Sequence, residues 1–197
     1  NILIIGPWNY PFQLAIYPLV YAIAAGNTAI IKPSEFSSNT ANAISIMIKE
    51  LFDENEVAVV EGGIPEATAL LALPFNHIHF TGSPKVGKIV MEAAAKNLTA
   101  VTLELGGKSP VIIDGSTNLN STAEKVCWGK TLNSGQTCIA PDFALVQENA
   151  LDGFVEGFKR ACEKFYDPDK KGIDKSKDYG RIINDTNFDR VQALLED

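Results

Sequence analysis

Short apolar runs alternate with longer stretches of helical character through the first half of the chain. Five runs are too short for helices and predict β-strands at 2–6, 27–32, 57–61, 76–81 and 99–104. The longer stretches predict helices at 11–25, 37–52, 65–73 and 84–97. Strands and helices that alternate in this way are typical of a parallel α/β sheet.

A second unit is predicted to begin near Gly106. Its apolar pattern predicts strands at 109–113 and 142–147, with helices at 119–132 and 149–165. The polar stretch 167–178 predicts a solvated loop, and 188–197 predicts an open helix. We therefore expect a domain boundary between residues 105 and 106.

The most apolar stretch, Phe12 to Ala25, predicts a buried helix rather than a membrane span. It contains Gln13 and Pro18 and is shorter than the roughly 20 residues that a span requires. The chain begins inside a predicted strand and ends in a predicted helix. We therefore expect it to be a fragment of a longer protein.

Composition narrows the class of protein. With 46% hydrophobic and 21% charged residues, the chain resembles an ordinary globular protein. A net charge of −7 argues against nucleic-acid binding, which needs clustered Lys and Arg. The three cysteines show neither disulfide nor zinc spacing, so a reducing compartment is expected. His77 and His79 alternate on a predicted strand without further metal ligands, and no metal site is expected.

The chemistry centres on Cys138 and Glu104. Cys138 lies in a loop of Gly, Ser and Thr residues, whereas Cys127 and Cys162 lie in predicted helices and are interpreted as inert core cysteines. A thiol attacks only as its thiolate, with a free pKa of about 8.5, so it needs an activating environment. Glu104 can be the neighbouring base, or it can activate a water molecule in a later step.

Three further segments carry weaker signals. Gly82 to Gly87 joins a strand to a helix, with Ser83 as the predicted N-cap and Pro84 at the first helical position. The helix start would suit a diphosphate, but for the segment taken alone a turn glycine and a helix-packing glycine are the favoured interpretation.

At the end of the second strand, Lys32 and Glu35 could bind ribose hydroxyls or form a solvated charge pair. After the first strand, two prolines fix the backbone around Asn9, whose amide could face an oxyanion or belong to a structural turn. Arg160, Lys164, Lys170 and Lys171 are interpreted as a solvated surface.

In combination, these segments resemble the aldehyde dehydrogenase superfamily over essentially the whole chain. The matching motifs stand in family order and are Pro7-Trp8-Asn9, Lys32-Pro33-Ser34-Glu35, Phe80-Thr81-Gly82-Ser83 with Gly87, Glu104 to Pro110, and Gly135-Gln136-Thr137-Cys138. The segments Gly6 to Pro11, Glu61-Gly62-Gly63 and Cys138 to Asp142 are most similar to the class 3 and fatty-aldehyde branch.

The resemblance implies a Rossmann-like open parallel sheet for the NAD(P)-binding domain (1–105), followed by the first part of a second α/β catalytic domain (106–197). It also implies NAD(P)-dependent oxidation of an aldehyde to a carboxylic acid. Cys138 would attack the aldehyde, Asn9 and the Cys138 backbone N–H would stabilise the oxyanion, and Glu104 would activate the water that hydrolyses the thioester.

The resemblance also implies the cofactor residues: Ile5, Gly6, Pro7, Trp8, Lys32, Ser34, Glu35, Gly62, Gly82, Ser83, Val86, Gly87 and Leu105. A carboxylate such as Glu35 favours a free ribose 2′-hydroxyl and hence NAD. The class 3 branch includes enzymes that use both cofactors, so NADP stays open.

Other functions stay open beside this one. A CoA-acylating dehydrogenase and a reductase are both weakened by Glu104, and a non-catalytic nucleotide-binding relative is weakened by the joint presence of Cys138, Glu104 and Asn9. We expect the chain alone to be inactive. The resemblance implies a cytoplasmic homodimer for the full-length protein, or a membrane-attached form with a C-terminal anchor, acting on a medium- or long-chain aliphatic or an aromatic aldehyde.

Overall fold

The computed structural model describes residues 1–195, which form two compact units. The first unit comprises Asn1–Gly106 and the second begins at Gly107.

The first unit is built on a parallel sheet of five strands. These are β1 (Ile2–Ile5), β2 (Ala29–Lys32), β3 (Val57–Val59), β4 (His77–Thr81) and β5 (Ala100–Glu104). All neighbours pair in parallel, in the order β3-β2-β1-β4-β5. The five predicted strands and the Rossmann-like sheet are thereby confirmed. The strand order reverses between β1 and β4, which is where such sheets bind ligands.

Helices cover both faces of this sheet. They are α1 (Gln13–Ala24), α2 (Ser38–Leu51), α3 (Ile64–Leu71) and α4 (Pro84–Ala95). Ile4 packs in a core with residues of α1 and α2, whereas Leu3 and Ile5 pack in a second core with residues of α3 and α4. Both faces are buried, which explains why β1 and β3 are continuous apolar runs, whereas β4 alternates His77 and His79 with apolar residues.

The predicted element ends differ from the structure by a few residues. The predictions at 27–32 and 57–61 are each two residues too long, because β2 begins at Ala29 and β3 ends at Val59. The backbone N–H of Val60 still donates to the Ile31 carbonyl at 2.9 Å, so one further ladder bond follows the strand. Glu61 is exposed and leads into Gly62, whose φ of +139° is incompatible with a continuing strand.

The expectation of a buried helix at 12–25 is confirmed for only one face of α1. Only Ala15, Leu19 and Ala22 are buried, while Tyr17 is 58% and Tyr21 75% exposed. The helix is apolar on all sides, but only one stripe packs on the sheet within the described residues. In residues 1–195, no helix combines the length and the apolarity needed to cross a membrane.

The second unit contains a two-stranded parallel sheet with helices. Its elements are β6 (Ser109–Ile113), α5 (Leu119–Thr131), β7 (Pro141–Val146), α6 (Leu151–Tyr166) and α7 (Asp185–Ala193). Ile113, Ala123 and Phe154 form its core. The predicted loop at 167–178 is confirmed, with one 3-10 turn at Ile173–Lys175.

The last predicted helix starts earlier than the sequence indicated. Helix α7 begins at Asp185 rather than at residue 188, because the Asn184 side chain caps it by accepting from the Asn187 N–H at 3.0 Å. The helix ends at Ala193, so the prediction runs too far at this end, and residues 196–197 of the predicted range lie outside the described residues.

Candidate functional site

The first candidate region is the carboxyl edge of the five-stranded sheet. The segment after β1 leaves the sheet at Gly6, whose N–H donates to the Lys32 carbonyl at 3.0 Å. Gly6 is buried and lies against α1, since a Cβ there would meet the Ala15 Cβ at 3.4 Å. Pro7, Trp8 and Asn9 follow and are half-buried. The topology therefore places them where strand order reverses.

The start of α4 lies at the end of the adjacent strand β4. Ser83 is the N-cap, and its side-chain oxygen accepts from the Val86 N–H at 3.3 Å, with Pro84 in the first turn. Both capping predictions are confirmed. The first turn of a helix carries the positive end of the helix dipole, although in α4 Pro84 has no N–H and the Val86 N–H is already bound to Ser83. The α4 N-terminus therefore suits a negatively charged group.

The glycines of this segment have packing roles. Gly87 is buried, and a Cβ there would lie 2.9 Å from the Leu105 side chain. A Cβ at Gly82 would lie 2.5 Å from the Phe80 ring. Close packing therefore accounts for Gly82 and Gly87. This agrees with the interpretation of the segment as a turn glycine followed by a helix-packing glycine. Beside them, the buried Thr81 hydroxyl has no hydrogen-bond partner within the described residues. An orphaned buried hydroxyl is unusual and marks a place where a polar ligand could bind.

Lys32 and Glu35 form a partly buried ion pair after β2. The Lys32 ammonium donates to Glu35 Oε2 at 3.1 Å and to the Pro33 carbonyl at 3.0 Å. Lys32 is only 3% exposed, which excludes the alternative of a solvated charge pair. Ser34 is also buried and begins a 3-10 turn, with its hydroxyl oxygen accepting from the Phe36 N–H.

Two glycines after β3 lie beside this ion pair. A Cβ at Gly63 would lie 3.7 Å from a Glu35 carboxylate oxygen. Gly62 has a φ of +139°, and a Cβ there would overlap Glu66, whose carboxylate accepts from the Gly63 N–H at 2.7 Å. The ends of β2 and β3 thus meet at the Glu35 carboxylate, which is 38% exposed.

Glu104 is the last residue of β5 and is exposed. It pairs in register with Thr81, while Leu105 packs against Gly87. His79, two residues before Thr81 on β4, shares this region. Burial lowers the pKa of His79, the Glu104 carboxylate acts to raise it, and His77 acts to lower it further.

Cys138 belongs to the second unit and follows a strained loop. Asn133, Ser134 and Gly135 all have left-handed backbones, with φ of 52°, 56° and 76°. This conformation costs about 1–3 kcal/mol for each non-glycine residue and persists only where surrounding contacts enforce it. A turn follows in which the Ala140 N–H donates to the Thr137 carbonyl at 3.1 Å. Cys138 is half-buried.

Gly107 explains part of a motif that sequence reasoning left without a structural role. A Cβ at Gly107 would lie 3.0 Å from the Cys138 carbonyl oxygen. A side chain at position 107 would therefore push against the backbone of the cysteine loop. The nearby Lys108 ammonium binds the Asp142 carboxylate at 2.8 Å, and this hydrogen bond lowers the pKa of Asp142.

The other two cysteines are neighbours of one another. The Cys127 and Cys162 sulfurs are 3.4 Å apart. Cys127 is fully buried, and burial, with the contact to Cys162, raises its pKa to about 12. The expectation of an inert core cysteine fits Cys127, whereas Cys162 is only half-buried.

The structure brings most predicted cofactor residues to one edge of the first unit, at the ends of its strands and at the start of α4. Asn9 and Glu104 also belong to the first unit, and Cys138 belongs to the second. A surface concavity at the start of α5 and α6, lined by residues such as Asn118 and Arg160, contains none of the predicted site residues. Sequence reasoning missed the contacts of Gln136, although the Gly-Gln-Thr-Cys motif pointed to that residue.

The Rossmann-like parallel sheet of the first unit, with a helix start that suits an anion, is typical of α/β proteins that bind nucleotides, and the second unit carries a loop cysteine. The model of the aldehyde dehydrogenase family matches residues 1–197. The chain therefore belongs to the aldehyde dehydrogenase family.

Curated relatives support the class 3 branch. The dimeric NADP-preferring aldehyde dehydrogenase of Rattus norvegicus is 51% identical over 99% of this chain and 42% of its own length. Aldehyde dehydrogenase family 3 member A2 of Mus musculus is 52% identical over 99% of this chain and 40% of its own length. The prediction of family and branch is thereby confirmed. The chain spans about two fifths of the length of these relatives.

Solved structures agree with this assignment. The substrate-bound state of Staphylococcus aureus AldH matches with a TM-score of 0.91 and 50% identity, over 99% of this chain and 42% of that one. A Mycobacterium tuberculosis aldehyde dehydrogenase complexed with NAD+ matches with a TM-score of 0.88 and 30% identity, over 99% of this chain and 40% of that one.

Proposed function

We propose that the full-length protein oxidises an aldehyde to a carboxylic acid with NAD or NADP as the electron acceptor. The observation that carries this proposal is the match of the whole chain to the aldehyde dehydrogenase family, with Cys138 half-buried after a strained loop. We propose the matching division of labour for the two units: residues 1–105 bind the cofactor, and residues 106–197 form the first part of the catalytic domain.

In this proposal Cys138 is the nucleophile that attacks the aldehyde carbon. The Asn9 amide and the Cys138 backbone N–H donate hydrogen bonds to the resulting oxyanion. As the oxyanion re-forms a carbonyl, the C–H bond of the former aldehyde would break, its hydride would pass to the bound cofactor, and a thioester would remain on Cys138. Glu104, which is exposed, takes a proton from the water that hydrolyses the thioester. Cys138 is released as a thiol, ready for another turnover.

The first unit has the groups that a dinucleotide needs. The start of α4, with Ser83, Val86 and the orphaned Thr81 hydroxyl, suits a diphosphate. Lys32 and the Glu35 carboxylate suit the hydroxyls of a ribose. Bound there, the cofactor would supply the hydride acceptor. Trp8, with Gly6, Pro7 and Ile5 at the end of β1, would lie on its other side.

The choice between the two cofactors depends on Glu35. A free carboxylate repels a ribose 2′-phosphate, but the Lys32 ammonium neutralises part of that charge at 3.1 Å. We therefore propose NAD as the better cofactor with NADP also accepted. The rat relative named as NADP-preferring and the Mycobacterium relative complexed with NAD+ support use of both within the family.

The finer assignments rest on the relatives. We propose that the full-length protein is a cytoplasmic homodimer, supported by the rat relative that is named dimeric. We also propose an aliphatic medium- or long-chain aldehyde, or an aromatic one, as its substrate.

A kinetic assay with matched cysteine variants tests the proposed function. The full-length protein is given octanal or benzaldehyde with NAD or NADP, and reduced cofactor is followed by absorbance. Wild type and Cys162→Ala should turn over, and Cys138→Ala should not. Turnover by Cys138→Ala, or none by wild type with any of these aldehydes, would contradict the proposal. Formation of acyl-CoA on addition of CoA would instead support the acylating alternative.

A further inference from the structure

The side chain of Gln136 connects the cysteine loop to a distant segment of the second unit. Its amide nitrogen donates to the Asn133 carbonyl at 2.9 Å and to the Arg181 carbonyl at 3.1 Å. Its amide oxygen accepts from the Ile183 N–H at 2.9 Å. Both ends of one amide are therefore used, and the two bonds to the 181–183 segment fix the orientation of the amide plane.

The 181–183 segment is itself held firmly. The Arg181 guanidinium donates to the carbonyls of Tyr179 and Gly180 through one nitrogen, at 2.8 and 3.1 Å. The other nitrogen donates to the carbonyls of Asp174 and Ser176, at 2.9 and 3.5 Å. This guanidinium thus binds several carbonyls of an otherwise irregular loop. Gln136 therefore binds to a hydrogen-bonded segment, residues 179–183, which we call the support.

The same support touches the strained part of the cysteine loop. A Cβ at Gly180 would lie 2.9 Å from the Ser134 hydroxyl oxygen, so the absence of a side chain at Gly180 leaves room for the Ser134 side chain. Ser134 has a left-handed backbone, with φ of 56°. Left-handed serine is unfavourable without such contacts. The loop conformation two to five residues before Cys138 therefore depends on the segment after Tyr179.

Tyr179 links this support to the helices. Its ring packs edge-on against the Tyr166 ring at the end of α6, with centroids 4.9 Å apart. The Tyr166 hydroxyl lies 2.7 Å from the Thr131 hydroxyl at the end of α5. The support is thus anchored on the same two helices that pack on β6 and β7.

We propose that Gln136 is a positioning residue that holds the Cys138 loop in its reactive conformation by binding it to residues 181–183. The inference rests on the proposed function for its effect on turnover. Gln136 acts through the backbone and does not itself touch the substrate. Its loss should relax the left-handed loop and misplace the sulfur, and a misplacement of about 1 Å costs on the order of 100-fold in rate.

We call the hydrogen bonds of Gln136 to Asn133, Arg181 and Ile183 the Gln136 clamp, and hydrogen exchange tests it directly. In the 197-residue chain, Gln136→Ala should speed amide exchange in peptides covering 133–140 and 181–184 by at least about tenfold, because local opening of these bonds becomes easier. Peptides from α5 should exchange as in wild type. Equal exchange of 133–140 in the two proteins would overturn the proposal, whatever the enzymatic activity.

Gln147 offers a matched control. Its side-chain oxygen also accepts from a backbone N–H, that of Gly115, at 2.6 Å in the same unit. Gln147→Ala should change exchange only around Gly115. Arg181→Ala provides a second variant, since it weakens the support while Gln136 stays in place. It should speed exchange in the same two peptides as Gln136→Ala, and failure to do so would count against the support.

Kinetics of the full-length protein separate positioning from general destabilisation. Gln136→Ala should lower kcat about 10- to 100-fold while the KM for the cofactor stays unchanged. Gln136→Glu keeps an acceptor for the Ile183 N–H but sets a carboxylate oxygen against the Asn133 and Arg181 carbonyls, so it should lower kcat at least as much as Gln136→Ala. Gln147→Ala should keep wild-type kcat. An unchanged kcat in Gln136→Ala, or an equal loss in Gln147→Ala, would contradict the positioning role. A wild type without aldehyde activity would instead refute the proposed function. The hydrogen-exchange comparison would still show whether Gln136 holds the cysteine loop.

Discussion

At the residue scale, the three cysteines differ in their surroundings more than in their sequence contexts. Cys138 is half-buried in a loop, while Cys127 is fully buried against Cys162. The sequence distinguished Cys138 because Gly, Ser and Thr surround it. The contact between the Cys127 and Cys162 sulfurs could not be predicted, because it depends on the packing of α5 against α6.

We predict that iodoacetamide alkylates Cys138 at least about tenfold faster than Cys127 in the folded chain at pH 8. Burial raises the pKa of Cys127 to about 12, so that thiol stays protonated at this pH. Peptide mass spectrometry after timed labelling measures the rates, with unfolded chain as the reference. Equally slow labelling of all three cysteines would favour a non-catalytic relative.

A second residue-scale prediction concerns His79. Burial lowers its pKa below the ordinary 6.5, despite the opposing Glu104 carboxylate. Between the folded and unfolded pKa values, the unfolded chain binds more protons, so stability falls as the pH falls through this window. From about pH 7.5 to about pH 5, the urea midpoint should therefore drop less in His79→Gln than in wild type. An identical drop in both proteins would contradict the assignment.

At the element scale, periodicity predicted which segments are strands and helices, but it did not predict which faces are covered. The strands of the first unit were found because apolar runs in a doubly covered sheet are short, and only β4 and β5 carry polar residues within their runs, at His79 and Thr102. The apolar surface of α1 pointed to complete burial, yet Tyr17 and Tyr21 are exposed. The composition of a helix alone does not show how many of its faces are covered by other elements. The caps at Ser83 and Asn184 depend on local hydrogen bonds, but only the first was predicted from the sequence.

The packing of α5 on α6 gives an element-scale prediction. A Cβ at Gly157 of α6 would lie 2.8 Å from the Ala123 Cβ of α5, so Gly157→Ala should force the helices apart. We expect a loss of about 1–3 kcal/mol in the free energy of unfolding. Gly129→Ala in α5 is the control, because its Cβ would meet Pro141 only at 3.5 Å, an ordinary contact. The control should be neutral or stabilising by up to about 1 kcal/mol. Urea unfolding measures both, and equal stability of the two variants would refute the close-packing account.

At the scale of the whole molecule, the resemblance to aldehyde dehydrogenases identified the motifs and their order. The structure shows that several of these motifs lie at the ends of strands. The cofactor residues could be assigned from sequence because the ends of parallel strands share one edge. The Gln136 clamp could not be predicted from the sequence, because it joins residues more than forty positions apart through hydrogen bonds from a side chain to the backbone.

We predict that the 197-residue chain alone shows no measurable aldehyde oxidation. It spans 42% of the rat relative, and the small sheet of its second unit exposes Ile112 and Leu145, at 78% and 56%. Large exposed apolar side chains on one face indicate a surface that packs on something else. Absorbance assays with octanal and NAD on the purified chain test this, and NAD-dependent turnover would contradict it.

The central claim is that Cys138 carries the acyl group and Glu104 releases it. It is tested most directly by the full-length Glu104→Gln variant, mixed with octanal and NAD and examined by mass spectrometry. Hydrolysis should slow by about 100-fold or more, with a burst of about one reduced cofactor per subunit. The Cys138 peptide should then carry an octanoyl thioester. A Cys138 peptide that stays unmodified while the aldehyde is oxidised at the wild-type rate would contradict the account.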